Sequence, residues 1–261
     1  MTQVHPTAIL SPQTELDTDV VIGPYVVTRG HVRLGQGCRV DSHAVLGSEH
    51  GRLEMGEGNY VHSGAVVGGA PQDLKYNEEP TSLIVGGNNI FRECVTVNIG
   101  TESGGGVTRI GNNNLLMAYV HVAHDCELGN HIVVANTTNF AGHVKVEDHV
   151  RIGGVCSFNQ FITIGRYSYI AGDSAVNKDI LPFTIAQGKY AVSRATNKIG
   201  LERAGFSKSE IENIHRAVRF VLMGERTKEE FLEKILEDCE PSDSISHLLQ
   251  FIRNSTRGIA K

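Results

Sequence analysis

Residues 110–176 read IGNNNLLMAYVHVAHDCELGNHIVVANTTNFAGHVKVEDHVRIGGVCSFNQFITIGRYSYIAGDSAV. Steps of six from Ile110 land on Leu116, Val122, Leu128, Val134, Phe140, Val146, Ile152, Phe158, Ile164, Ile170 and Val176. Every one of these positions is aliphatic or Phe. With a hydrophobic content of 40 %, chance gives such a run with a probability of roughly 0.4 to the twelfth power, so the period is real. An earlier stretch repeats it through Leu10, Leu16, Ile22, Leu34, Val40 and Leu46, with Thr28 the one polar exception. The register slips after Leu46 and restarts at Met55, Val61 and Val67.

A period of six fits neither a helix nor a flat two-sided strand. It fits short strands that turn a corner every six residues, each with one aliphatic side chain pointing inward. Three sides make a coil of about 18 residues, and stacked coils lie about 4.8 Å apart, so residues 18 apart become vertical neighbours. Glycines that follow the inward residue (Gly23, Gly35, Gly56, Gly111, Gly129, Gly153, Gly165) suit the turns. The expected fold is mainly β: a parallel β-helix over residues 1–190, followed by a small α-helical domain over 191–261.

Two insertions interrupt the coils. Residues 69–82 carry Pro71, Pro80 and the run Gln72-Asp73-Leu74-Lys75-Tyr76, and residues 100–106 are Gly-rich. Long loops on a rigid solenoid are usually functional, which makes Lys75 a candidate ligand contact. From Leu201 onward the pattern turns helical: Ser207 with Glu210 and Thr227 with Glu230 read as capping boxes, and a third segment begins near Ser242.

Composition excludes several classes. The 29 glycines and 6 % aromatics suit narrow, regular layers. A net charge of −5 argues against a nucleic-acid partner. No apolar run approaches the ~20 residues of a membrane span. Five scattered cysteines (Cys38, Cys94, Cys126, Cys156, Cys239) form no C-x-x-C pair; this favours a reducing, cytoplasmic setting.

The segment His121-Val122-Ala123-His124-Asp125 concentrates the chemistry. Val122 points inward, so His121 and His124 are candidates for the outer surface. Stacking at 18 residues sets Asn139 and Ser157 above His121, Gly142 and Gln160 above His124, and His143 and Phe161 above Asp125. This strip offers a proton acceptor near neutral pH, a carboxylate to fix its tautomer and a backbone N–H near Gly142 for an oxyanion. It equips the chain for acyl transfer without a covalent nucleophile. A zinc reading of the histidines would need a third well-placed His. Cys126, two residues short of inward Leu128, reads as a partly buried bystander.

These residues resemble the acyl-ACP–UDP-N-acetylglucosamine O-acyltransferases that begin lipid A synthesis. The similarity runs through Val4-His5-Pro6-Thr7-Ala8-Ile9, Gln72-Asp73-Leu74-Lys75-Tyr76, Asn114-Leu115-Leu116-Met117, His121 to Cys126, Ala141-Gly142-His143-Val144, Ile185-Ala186-Gln187-Gly188, Gly205-Phe206-Ser207 and Ser255-Thr256-Arg257-Gly258. The resemblance implies a left-handed β-helix, a homotrimer and active sites in clefts between subunits. It implies His124 as general base, Asp125 as its orienting partner and Gly142 as oxyanion donor. Asp73, Lys75, His121, His143, Gln160, Asn197 and Arg203 would contact the nucleotide sugar or the transition state. Gly172 would limit acyl-chain length, and as a glycine it leaves room for long chains. The donor would be a 3-hydroxyacyl thioester on acyl carrier protein, with no cofactor or metal. Arg216 and Arg219 are expected to help dock that carrier. The sequence departs from the family pattern at Asn98, Ile99, Asn113, Asn159, Ile199 and Ala204, several of them near the acceptor site. The acceptor is therefore the 3-hydroxyl of UDP-N-acetylglucosamine or, alternatively, the amine of a UDP-amino sugar; a solenoid without catalysis is the third possibility.

Overall fold

A computed structural model describes residues 1–224 and 227–261. The N-terminal part is a left-handed parallel β-helix of triangular section. Its first face carries the inward column Ile22, Val40, Val61, Phe91, Leu116, Val134, Ile152 and Ile170, each paired in parallel with the strand one coil above. The second face carries Leu46, Val67, Val97, Val122, Phe140, Phe158 and Val176, and the third Leu34, Met55, Val85, Ile110, Leu128, Val146 and Ile164. These columns are buried and form one continuous core, in which Phe140 and Phe158 stack at 4.9 Å. Thr28, the polar exception, is also buried: its hydroxyl accepts from the Ser11 N–H at 2.7 Å and bonds the Thr14 hydroxyl at 2.7 Å. A paired hydroxyl is tolerated inside a core, an unpaired one is not.

The uninterrupted corners from Leu116 to Ile170 share one backbone design. The third residue after the inward one is left-handed, with φ near +60°, at Tyr119, Asp125, His131, Thr137, His143, His149, Val155, Phe161, Tyr167 and Asp173. The residue before it finds no backbone acceptor for its N–H. That suits Pro24 and Pro182, which precede the left-handed Tyr25 and Phe183, since proline has no N–H to lose.

The corner between the second and third faces is different from the other two. There the chain takes Leu46 to Met55, Val67 to Val85 and Val97 to Ile110, where six residues would suffice. Both insertions, residues 70–81 and 99–106, thus leave the prism along one edge, directly below the His124-Asp125 corner.

An antiparallel hairpin, Thr184–Gly188 with Ala191–Thr196, ends the solenoid and spans position 190. Helices α1 (Lys198–Arg203), α2 (Lys208–Met223), α3 (Lys228–Asp238) and α4 (Asp243–Asn254) follow. The first starts three residues before Leu201. Thr227 and Glu230 form a complete capping box. Ser207 caps α2 through the Glu210 N–H, but the Glu210 carboxylate accepts from the Ser242 hydroxyl at 2.8 Å, so the expected second box is only half made. The helices share their own apolar core with Leu181 and Phe183 from the solenoid end. Residues 258–260 return to the solenoid: Asp179 N–H donates to Gly258 O, Ala260 N–H to Asp179 O and Ser193 N–H to Ala260 O. Among the described residues no helix is long and apolar enough to cross a membrane.

Candidate active site

The corner after Val122 brings His124 and Asp125 together. Asp125 takes the left-handed position, φ 60°, and its N–H donates to the Thr108 hydroxyl at 2.7 Å. That turn aims its carboxylate back at His124, whose Nδ1 lies 2.7 Å from Asp125 Oδ2. A carboxylate can only accept, so Nδ1 carries the proton and Nε2 is left as the free acceptor.

Gly142 stands one coil above. A Cβ built on it would lie 2.6 Å from His124 Cε1 and 2.9 Å from Nε2. The imidazole therefore packs against bare backbone, and no residue with a side chain could replace this glycine without moving the ring. Although it points away from the core, the His124 side chain is only 7 % exposed. The expectation of an outer-surface residue needs this correction: the ring lies outside the prism but under cover. The Gly142 N–H has no acceptor among the described residues, as at the proline-bearing corners.

His143, one coil above Asp125, sets its Nε2 3.7 Å from Asp125 Oδ2, meets the His124 ring edge-on at 5.3 Å and stacks on Phe161 at 4.4 Å. Burial pushes its pKa below the usual range; Asp125 and Asp73 oppose that shift and His124 adds to it. His121 bonds the Thr96 hydroxyl through Nδ1 at 2.7 Å, and burial, reinforced by His124, lowers its pKa as well. Gln160 is exposed above Gly142. In the first insertion Asp73 Oδ1 accepts from the Lys75 N–H at 2.9 Å, while the Lys75 side chain is exposed. A cleft of about 560 Å³ opens beside Asp125, His143 and Phe161 and runs to α4 at His247, Gln250 and Asn254.

Three of the candidates lie elsewhere. Gly172 is on the edge between the first and second faces, where a Cβ would meet Gly154 O at 3.3 Å. Asn197 caps α1, its Oδ1 accepting from Gly200 N–H at 3.1 Å and its Nδ2 donating to Tyr167 O at 2.9 Å. Arg203 is exposed at the end of the same short helix. Tyr167 belongs to the remaining edge, so the three candidates and His124 are distributed over all three edges of the prism.

Cys126 is fully rather than partly buried; burial pushes its thiol up to about 12, far from a thiolate nucleophile. His124, Asp125 and His143 each bring one donor atom within 4.8 Å of the others, a spacing that a metal ion could use. The Asp125 carboxylate is already committed, however. It accepts from His124, from the Thr101 N–H at 2.8 Å and from the Thr101 hydroxyl at 2.6 Å. Thr101 and Thr108 were not foreseen from sequence; the Gly-rich insertion that contains the first was the only signal.

A hexad-built prism with a covered His–Asp pair, an open backbone N–H above it and, among the described residues, no activated thiol beside it defines a hexapeptide-repeat transferase. The bacterial transferase hexapeptide model matches residues 108–142, and the model for domain 2 of UDP N-acetylglucosamine O-acyltransferase matches 179–260. The acyl-carrier-protein–UDP-N-acetylglucosamine O-acyltransferase of Thermodesulfovibrio yellowstonii is 40 % identical over 261 residues, all of both chains. The enzyme of the same name from Nautilia profundicola is 45 % identical over 78 % of this chain and 79 % of its own. The solved structure of UDP-N-acetylglucosamine O-acyltransferase (LpxA) from Moraxella catarrhalis superposes with a TM-score of 0.93 at 36 % identity, and that of LpxA from Acinetobacter baumannii with 0.95 at 36 %; each comparison covers 99 % of both chains. The chain belongs to the UDP-N-acetylglucosamine O-acyltransferase family.

Proposed function

We propose that this enzyme transfers a 3-hydroxyacyl chain from acyl carrier protein to the 3-hydroxyl of UDP-N-acetylglucosamine, the first step of lipid A synthesis, with His124 as general base. The observation that carries this reading is the covered His124–Asp125 pair, its Nδ1–Oδ2 distance 2.7 Å, beneath the unengaged Gly142 N–H. Nε2 takes the proton of the sugar hydroxyl as its oxygen attacks the thioester carbonyl. Negative charge develops on the former carbonyl oxygen and is met by the Gly142 N–H. Collapse breaks the C–S bond, and the departing sulfur takes the proton from Nε2, which restores the neutral ring. No enzyme-bound acyl group forms, in keeping with the raised thiol of Cys126.

His121, His143, Gln160, Asp73 and Lys75 hold the nucleotide sugar around this corner; the neutral form favoured at His121 and His143 lets them bond sugar hydroxyls without adding charge. Asn197, Arg203 and Gly172 act on a neighbouring copy's site in a homotrimer. The support is geometric: they lie at other edges of the prism from their own His124, so one copy alone holds a single wall of the cleft. Ala204 places no guanidinium beside Arg203, and Lys198 is paired with Glu212 at 2.8 Å. The carrier docks on α2, where Arg216, Arg219, Phe220 and Met223 line a concavity of about 430 Å³. The reaction is cytoplasmic, a setting that suits five free cysteines.

Mass spectrometry of products decides the acceptor chemistry. With acyl carrier thioester and equal amounts of UDP-N-acetylglucosamine and its 3-amino counterpart, the ester should predominate. A predominant amide would overturn the assignment and leave the base chemistry standing.

A further inference from the structure

The Gly-rich insertion has no part in the reaction as written above, yet it supplies two of the three close hydrogen bonds to the Asp125 carboxylate. Thr101 is 3 % exposed, and its N–H donates to Oδ1 at 2.8 Å while its hydroxyl donates to Oδ2 at 2.6 Å. The hydroxyl has a fixed direction, because its lone pairs face the Gly104 N–H, 3.1 Å away, which ends the 3₁₀ turn Glu102–Gly104 that Thr101 caps. Gly104 then folds back over the carboxylate so closely that a Cβ there would overlap Asp125 Cγ and both of its oxygens. The carboxylate is gripped on two sides by one strap, and Oδ2, the atom that receives the His124 proton donor, is the one that the hydroxyl holds.

We infer that Thr101 is a positioning residue for His124, acting through Asp125, with Gly104 as the glycine that lets the strap close. The inference rests on the general-base reading of His124. Two hydrogen bonds from one residue to both carboxylate oxygens stop the group from rotating about its last torsion, which is otherwise soft. A rotated carboxylate would leave Nδ1 without its fixed acceptor, and the imidazole would then sample orientations and a tautomer unsuited to taking the sugar proton. Thr101 is 24 residues from Asp125 in sequence and touches no atom of the imidazole in the hydrogen-bond network.

The test is a mutant cycle read by steady-state kinetics. Thr101→Val keeps the shape and the N–H contact, and Gly104 N–H retains the Thr101 carbonyl at 3.1 Å. It should lower kcat about tenfold with KM for the nucleotide sugar unchanged, and Thr101→Ser should restore kcat. In an Asp125→Asn background the Val substitution should add nothing, since the group through which it acts is already lost. Gly104→Ala, by displacing the carboxylate, should also lower kcat with little effect on KM. Wild-type kcat in Thr101→Val or in Gly104→Ala would overturn the inference, and so would full additivity with Asp125→Asn or an equal loss in Thr101→Ser. His124→Ala separates the two claims. If it is inactive while Thr101→Val is normal, only the strap fails; if it is active, the base reading fails and the strap with it.

Discussion

At the residue scale the site depends on what glycine permits and on what burial does to histidine. Gly142 lets the His124 ring lie against backbone, and that contact covers a group that the sequence pattern alone would leave in solvent. His124→Ala removes an outward side chain and leaves every inward column intact, so the melting temperature should be little changed while turnover falls by about 100-fold or more. A variant with near-normal turnover would remove the proposed base, and loss of activity on treating the wild type with a chelator would point to a metal among His124, Asp125 and His143 instead. His121 and His143 provide a second test. Their folded pKa values lie below the usual 6.5, so the fold favours their neutral forms. Their contribution to stability is complete above the unfolded value of about 6.5 and is lost as pH falls through the lower folded values. Between pH 7 and pH 5 the wild type should therefore lose more thermal stability than a His121→Asn, His143→Gln double variant. Equal losses in the two proteins would contradict the shifts.

At the scale of elements, the coils were legible because one position in six is answerable only to the core. Thr28 escaped that rule through hydrogen bonds that the spacing could not reveal. The slip after Leu46 and the breaks at residues 69–82 and 100–106 were visible too, but their meeting on one edge becomes apparent only when each residue is assigned to a face. Thr101 stayed hidden for a related reason: vertical neighbours are 18 apart only where the repeat is unbroken, and the strap lies inside a break. Asn197 illustrates the opposite difficulty, since an Asn before a helix serves equally well as a cap or as a ligand contact. Its amide is used on both sides within the chain. On the edge between the first and second faces Gly154 and Gly172 stand one above the other, so this position carries no side chain over two coils, and it is where the acyl chain is proposed to pass. Gly172→Met should shift donor preference towards shorter chains by at least several-fold in competition between long and short thioesters. An unchanged ranking would mean that the chain takes another route.

At the scale of the molecule, distribution of the candidates over three edges makes association the decisive property. Sedimentation should give a trimer at assay concentrations, and mixed trimers of His124→Ala and Gly172→Met subunits should regain turnover of long donors that neither parent supports, because a cleft could take His124 from one chain and Gly172 from the other. A fully active monomer would rule out the shared cleft. The return of residues 258–260 to Asp179 and Ser193 has a consequence for biosynthesis. Each coil is laid on the one before it and donates its N–H groups to the next, so the prism can close turn by turn as the chain leaves the ribosome, and the His124–Asp125 corner is covered once residue 161 has emerged. Until residue 260 follows, the N–H groups of Asp179 and Ser193 face outward at a growing β edge, the kind of surface that recruits stray strands. The nascent chain thus completes its own His124–Asp125 corner some hundred residues before it acquires protection against sticking to its neighbours on the same messenger.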